Sequence, residues 1–296
     1  MNDKHAYLIS VHQKPMQLKK LVQVLDDERN DIYVHIDKKA RDIYSKTVID
    51  TITESIRRSR IYFLDHSISV EWGQYSQIQF KLELLKAAVR NGPYSYYHNI
   101  SGQDFPLKSQ DYMHDFFAGN GNHEFMSFER IHECRYRYKY YYDFIRGIGR
   151  PRNKIEKMKI FAYGKLQHIL FGIDRTRLNP DIQFKKGGAW FSLTEDFVQY
   201  ILSKEEWIMS TFQSTYCCDE VFLQTLLWNS EYRDRLFCPG DGESESMRLI
   251  DWNRGNPYVF RKKDFEELIS SKCMWARKFD DEVDSEIIDL LIEHVL

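Results

Sequence analysis

Two acid pairs of D-x-E form, Asp241 with Glu243 and Asp280 with Glu282, are the first places where this 296-residue chain could hold a divalent ion on a nucleotide diphosphate. The first pair sits in a glycine-containing run. The second precedes a helical pattern, whose positive end suits acids without any metal, so neither pair is expected to bind an ion. Other signatures are missing. The turn after the first apolar run is His12-Gln13-Lys14-Pro15, with neither a GxGxxG nor a GxxxxGK[ST] phosphate loop, and no GxSxG elbow or HExxH helix occurs. A dehydrogenase, a P-loop enzyme and the commonest hydrolases are thereby disfavoured. What remains are single residues in suggestive settings. Glu220, in Tyr216-Cys217-Cys218-Asp219-Glu220, reads by pattern alone as an acid in a first helical turn. Arg277 and Lys278 could pair with Asp280 and Asp281. Asp104 follows a strand and by type caps a turn. Trp72 and Trp252 are by type more often core than platform, and in residues 135–142 (RYRYKYYY) arginines among tyrosines suit glycan stacking or a phosphate.

Those residues need elements to carry them. Residues 6–11 (AYLISV) are a compact apolar run; Leu18, Leu21, Val22 and Leu25 then recur at helical spacing after Pro15, and residues 32–36 (IYVHI) read as a strand. This is a β-α-β opening. A helix over 43–56, a strand over 61–64, an amphipathic helix through Ile78, Leu82, Leu85 and Val89, and a strand over 96–100 follow. Strands alternating with helices predict an α/β fold, a mainly parallel sheet covered on both faces with its ligand at the carboxyl ends of the strands. The second half is less regular. Residues 155–171, 219–228, 264–270 and 283–295 read as helices, 187–193 (GGAWFSL) as a strand, 247–251 and 258–260 as short extended pieces, and Thr194 before Glu195 and Asp196 as a helix cap.

Composition bounds the class. With 43% hydrophobic and 29% charged residues the chain is an ordinary globular protein, and a net charge of −2 gives no global attraction to nucleic acid. Charge is uneven along it. Residues 130–186 carry fifteen Lys and Arg against five acids, so this segment either forms solvated faces or meets an anionic ligand or membrane surface. Five cysteines, Cys134, Cys217, Cys218, Cys238 and Cys273, include no CxxC pair, which argues against a disulfide framework or zinc site. The apolar run at 6–11 is short for a signal core and no stretch of roughly 18 apolar residues follows, so the expected location is the cytoplasm, with peripheral contact at the inner face of the membrane through the basic segment.

Five segments in order carry a resemblance: AYLISVHQKP (6–15) with VHIDKK (34–39), VEWGQYS (70–76), NISGQDFPLKS (99–109), KGGAWFSLT (186–194) with CCDEVFLQTLL (217–227), and RLIDW (248–252) with WARKFD (275–280). Together they resemble the Core-2/I-branching N-acetylglucosaminyltransferases and xylosyltransferases of glycosyltransferase family 14, in a short bacterial form. The resemblance implies a GT-A-type glycosyltransferase fold, Rossmann-like, in a single catalytic domain over 1–296, with 1–109 as the nucleotide-binding half and 110–296 as the acceptor-binding and catalytic half. It implies a UDP-sugar donor and inverting transfer to a hydroxyl of an acceptor glycan, with no metal and no other cofactor. The base falls on Glu220. The cations that replace a metal fall on Lys278, with Arg277 or Arg254 as the second. Val11, His12 and Asp37 fall at the donor, Asp37 at the nucleoside, and Glu124, Arg135, Trp252 and Asp104 at the acceptor. N-acetylglucosamine moved into a surface polysaccharide, on a free or lipid-linked acceptor, is the expected reaction. UDP-xylose is the alternative donor, and a glycan-binding module without chemistry is the alternative class, separable because a pure lectin has no reason to bind UDP.

The chemistry calls for those residue types. Displacement of UDP in one step needs a carboxylate within hydrogen-bond reach of the acceptor hydroxyl. The leaving diphosphate gains charge, and a fixed cation at about 4 Å attracts it by roughly 4 kcal/mol at an effective dielectric near 20. One Lys and one Arg can therefore stand in for a divalent ion.

Overall fold

The computed structural model describes residues 3–129, 135–143, 153–238 and 245–296. Cys134, the pair Asp241 and Glu243, and Arg130, Arg146, Arg150 and Arg152 of the basic segment lie outside the described residues. The strands are β1 (His5–Val11), β2 (Asn30–Ile36), β3 (Arg60–Phe63), β4 (Tyr96–Ser101), β5 (Asp104–Pro106), β6 (Phe125–Phe128), β7 (Gly187–Thr194), β8 (Arg248–Ile250) and β9 (Trp275–Arg277). The helices are α1 (Pro15–Val24), α2 (Lys46–Thr53), α3 (Ser76–Val89), α4 (Gln110–Gly119), α5 (Tyr136–Lys139), α6 (Lys154–Phe171), α7 (Arg175–Leu178), α8 (Glu195–Ser203), α9 (Glu205–Phe212), α10 (Phe222–Trp228), α11 (Phe265–Ser270) and α12 (Glu286–Val295).

A six-stranded sheet runs β3-β2-β1-β4-β7-β6. Strands β1 to β4 are mutually parallel, and β7 alone runs against its neighbours β4 and β6. This is the α/β, Rossmann-like arrangement expected. Successive residues of β1 point to opposite faces, so Tyr7, Ile9 and Val11 pack with Leu18, Leu21 and Val22 of α1, while Ala6 and Leu8 pack with Ile78, Leu82 and Leu85 of α3. Both faces are covered, which is why β1 and β2 read as nearly continuous apolar runs. A second sheet, β5-β9-β8, lies beyond the carboxyl end of β4; β9 pairs antiparallel with β5 and parallel with β8, and Trp275 is fully buried in it.

Several expectations are corrected in detail. The helix expected over 43–56 is only Lys46–Thr53, because Asp37 caps a separate 3-10 turn at Lys38–Ala40 and Ser45 caps α2 through the Val48 N–H. The helix expected over 219–228 is broken. A 3-10 turn at Cys218–Glu220 precedes α10, with Val221 at φ −125° between them. Glu220 therefore ends a 3-10 turn instead of opening a helix. Residues 258–260 form no strand, and β5, β6, β9, α4, α5, α7 and α9 were not anticipated. Thr194 caps α8 as expected, its hydroxyl accepting from the Phe197 N–H.

Candidate active site

The carboxyl ends of β1 and β2 gather the expected donor residues. Asp37 follows β2; its N–H donates to the Val11 carbonyl at 2.8 Å, and its buried carboxylate accepts from the N–H groups of Lys39 (2.8 Å) and Val70 (3.3 Å). It thus ties two loops together. His12, the next residue after β1, is pushed below the ordinary imidazole value first by partial desolvation; Asp37 opposes this, and Lys278, Lys39 and Arg277 add to it. Those cations lie within electrostatic reach of His12, at the strand ends where an open α/β sheet keeps its ligand. Lys278 is held by its backbone, its N–H donating to Tyr258 and its carbonyl accepting from Phe260.

Beside this group opens a cleft of about 1320 Å³, lined among others by Trp72, Arg137, Lys186, Trp190, Asp219, Glu220, Arg248, Trp252 and Arg277. Glu220 and Arg277 thus share one cavity. Strand β9 delivers Arg277, whose guanidinium lies 4.0 Å over the Trp190 ring with Nη1 3.4 Å from Asp104 Oδ1. Asp104, the register partner of Arg277 in β5, is 2% exposed and its other oxygen accepts from the Ser101 N–H. The structure places it beneath Arg277, where it orients the guanidinium, and not on the open acceptor side.

Glu220 is oriented by two cations that the sequence reading did not single out. Arg137 Nη1 donates to Glu220 Oε2, and Lys186 Nζ lies 3.3 Å from the same oxygen and 3.2 Å from Glu129 Oε2. Both contacts fall on Oε2. Local geometry makes this possible. Gly187 opens β7 so close to β6 that a Cβ there would lie 1.7 Å from the Ser127 carbonyl oxygen, which leaves Lys186 at the cleft edge. On the other side Gly73 adopts φ +75°, its carbonyl accepts from the Cys217 N–H at 2.9 Å, and a Cβ would press on the Tyr216 ring at 3.2 Å. The VEWGQYS loop is thereby docked against the segment that ends in Glu220, and Trp72 meets Tyr216 edge-on.

A buried pair backs this carboxylate. Lys81 of α3 lies 3.8 Å from Asp219 and donates to the Ala189 carbonyl at 2.9 Å. Burial pushes Asp219 above the usual carboxylate range and Lys81 below the usual ammonium range, each charge partly restoring the other. Arg248 ties the strand ends. Its guanidinium donates to the carbonyls of Ser246, Asn99 and Phe191 and to Ser192 Oγ, and stacks 3.9 Å from the Trp275 ring; burial lowers it to about 9.

Other expected residues lie elsewhere. Trp252 lines the cleft and is 60% exposed, a platform and not core. Arg254 is outside the cleft lining, its guanidinium shared among Asp251, Asp264 and Glu267; three carboxylates already neutralise it, which argues against it as a second diphosphate cation. Glu124 is fully buried, accepting from the Thr194 N–H at 3.0 Å and hydroxyl at 2.5 Å, so no acceptor can reach it. Burial pushes its carboxyl up to about 7. Arg135 is exposed at the entry to α5 and does not line the cleft; two residues on, Arg137 does. Asp280 and Glu282 face Lys14 at 2.7 and 3.3 Å, so an ammonium already fills the second D-x-E pair. Among the described residues the cysteines are free, and no helix is long and apolar enough to cross a membrane.

The model of the Core-2/I-branching enzyme family matches residues 5–271. Xylosyltransferase 2 of Mus musculus is 21% identical over 313 aligned residues, covering 98% of this chain and 33% of that protein. Xylosyltransferase sqv-6 of Caenorhabditis briggsae is 24% identical (92% of this chain, 34% of that protein), and xylosyltransferase oxt of Drosophila melanogaster 22% (96% and 32%). The chain spans about a third of the length of these curated relatives. Among solved structures, apo mouse xyloside xylosyltransferase 1 matches with a TM-score of 0.39 and 12% identity over 92% of this chain and 96% of that one.

Proposed function

The chain belongs to the Core-2/I-branching enzyme family, and from that premise we propose that it is an inverting glycosyltransferase moving a sugar from a UDP conjugate to a hydroxyl of an acceptor glycan. The observation that carries this reading is one cavity holding a cation-oriented carboxylate, Glu220, and a fixed guanidinium, Arg277. Arg137 and Lys186 fix Glu220 through Oε2, and among the described residues Oε1 accepts no hydrogen bond, so that oxygen takes the proton of the attacking hydroxyl. On the donor side Arg277 lines the cleft, while Lys278, His12 and Asp37 lie outside its lining; Arg277, with Lys278 acting from beside His12, offsets the charge that builds as UDP departs, without a divalent ion. Asp37 shapes the nucleoside end by joining β1, the 3-10 turn and residue 70. Trp252 and Trp72 offer ring faces to the acceptor sugar.

N-acetylglucosamine is the donor sugar proposed first, with surface polysaccharide as the destination. A second reading has specific support: the three curated relatives above are named xylosyltransferases, which favours UDP-xylose. Thermal stabilisation by a panel of UDP-sugars decides between them, since only the bound donor raises the melting temperature. Glu220→Gln tests the mechanism. It is expected to keep UDP binding by calorimetry and to lose transfer by roughly 10²–10⁴-fold; near-normal turnover removes the proposed base.

A further inference from the structure

Helix α6 presents the wrong face to water. Ile155, Met158, Ala162, Leu166 and Ile169 recur at spacings of three, four, four and three residues and so form one stripe, and all of them are exposed, Ile169 to 74%. Phe171 at the helix end is 72% exposed and Leu178 of α7 61%. The inward face carries one large apolar residue, Ile160, packed with Tyr140, Tyr142 and Tyr216, and is otherwise small or polar. A Cβ on Gly164 would meet the Tyr140 ring at 2.4 Å, and buried Gln167 exchanges hydrogen bonds with the backbone of Tyr141. A surface helix of a water-exposed domain shows the reverse pattern, and a contiguous apolar patch of this kind marks an interaction site.

Charge narrows the partner. The exposed Lys154, Lys159 and Lys165 flank the stripe, and the helix's acid, Glu156, is half-buried. Basic residues bordering an apolar stripe are the pattern of a helix lying in the headgroup plane of an anionic bilayer. Continuity with the cleft adds a direction. Buried Ile160 and exposed Phe161 of the same helix line the cavity that holds Glu220. We infer that α6 is a docking surface for an anionic lipid membrane and holds the cleft mouth at the bilayer, where a lipid-linked acceptor enters. The docking stands on the helix alone; the acceptor clause rests on the transferase reading.

The test uses the full chain, the double variant Ile169→Glu/Phe171→Glu and the single variant Lys159→Glu, whose substituted residues do not line the cleft. Each is sedimented with vesicles of phosphatidylcholine alone or mixed equally with phosphatidylglycerol. The chain is expected to bind the mixed vesicles more tightly, by roughly fivefold for each lysine engaged, and to release them at high salt. Both variants are expected to lose more than about tenfold in vesicle binding, with UDP binding unchanged. Absence of binding to the mixed vesicles overturns the inference. So does equal binding by the variants, or a chain that self-associates in sedimentation and becomes monomeric in the Ile169→Glu/Phe171→Glu variant, since the face then belongs to a second copy. Vesicle binding by a chain that binds no UDP would sink the transferase reading while leaving the docking surface in place.

Discussion

Arg277→Gln separates two jobs that the structure gives to one guanidinium. With side chains 15% and 3% exposed, Arg277 and Asp104 lie 3.4 Å apart, where unit charges attract by about 5 kcal/mol at an effective dielectric of 20. Removing the cation strands a buried carboxylate, which costs about 3–5 kcal/mol of folding stability. The same cation at about 4 Å from a departing diphosphate is worth up to roughly 4 kcal/mol, close to a thousandfold in rate when fully realised. The double variant Asp104→Asn/Arg277→Gln distinguishes the two effects, because an amide at position 104 carries no charge to strand, and its oxygen can still accept from the Ser101 N–H. Urea unfolding of wild type, both single variants and the double, with UDP release from the preferred donor as the rate assay, gives a complete cycle. Arg277→Gln is expected to lose about 3 kcal/mol or more of stability, and the double to recover most of it; both are expected to lose about 10²–10³-fold in kcat. If the double variant regains wild-type transfer, Arg277 is only the counterion of Asp104, and the account of leaving-group stabilisation fails.

The remaining expectations are independent of that cycle. Glu124 holds its proton up to about 7 when folded, against 4.5 as the ordinary value; a carboxyl raised in this way makes the folded state the better proton binder, so stability falls as pH rises through that window, by about 3 kcal/mol at most. Glu124→Gln cannot ionise there, and its stability relative to wild type should climb between those pH values in urea titrations; parallel curves would contradict the burial argument. Trp252→Ala should raise the acceptor KM by roughly two- to tenfold, the worth of one ring contact, with stability changed by less than about 0.5 kcal/mol; a marked loss of stability would instead make Trp252 core. Chelator should leave transfer intact, and a strict manganese requirement would redirect attention to Asp241 and Glu243.

The β-α-β half was legible because its signals are long and redundant. Alternate residues of β1 feed two cores, and α1 and α3 each repeat an apolar face over at least ten residues, so length and period agree. Elements β5 and β9, which the sequence did not reveal, are three residues each. No period can show in three residues, and these strands exist because distant segments pair: Asp104 with Arg277, and Ile250 with Arg277 on the other side. The break between Cys218–Glu220 and α10 was hidden for a related reason, since it depends on the Gly73 loop pressing against Tyr216 and Cys217.

The candidate site divides along the same line. Glu220, Arg277 and Trp252 stand in ordered motifs, and the structure brings these three to one cavity. Charge partners were less readable. Arg137 lies 83 residues before Glu220, in a run whose tyrosines suggested stacking, and nothing local says that its guanidinium turns onto a carboxylate. Lys186 had a signal, the two glycines after it that let β7 close on Ser127 and leave the lysine at the cleft edge. Arg254 had one too, of opposite meaning: Asp251 three residues earlier is a local carboxylate for it. A cation with an acid at short spacing is already paired by the local chain, whereas Arg277 depends on Asp104 across the sheet. Long-range pairing of this kind costs loop closure in folding, and it holds the charge at one place in the cleft, which is what stabilising a departing anion requires.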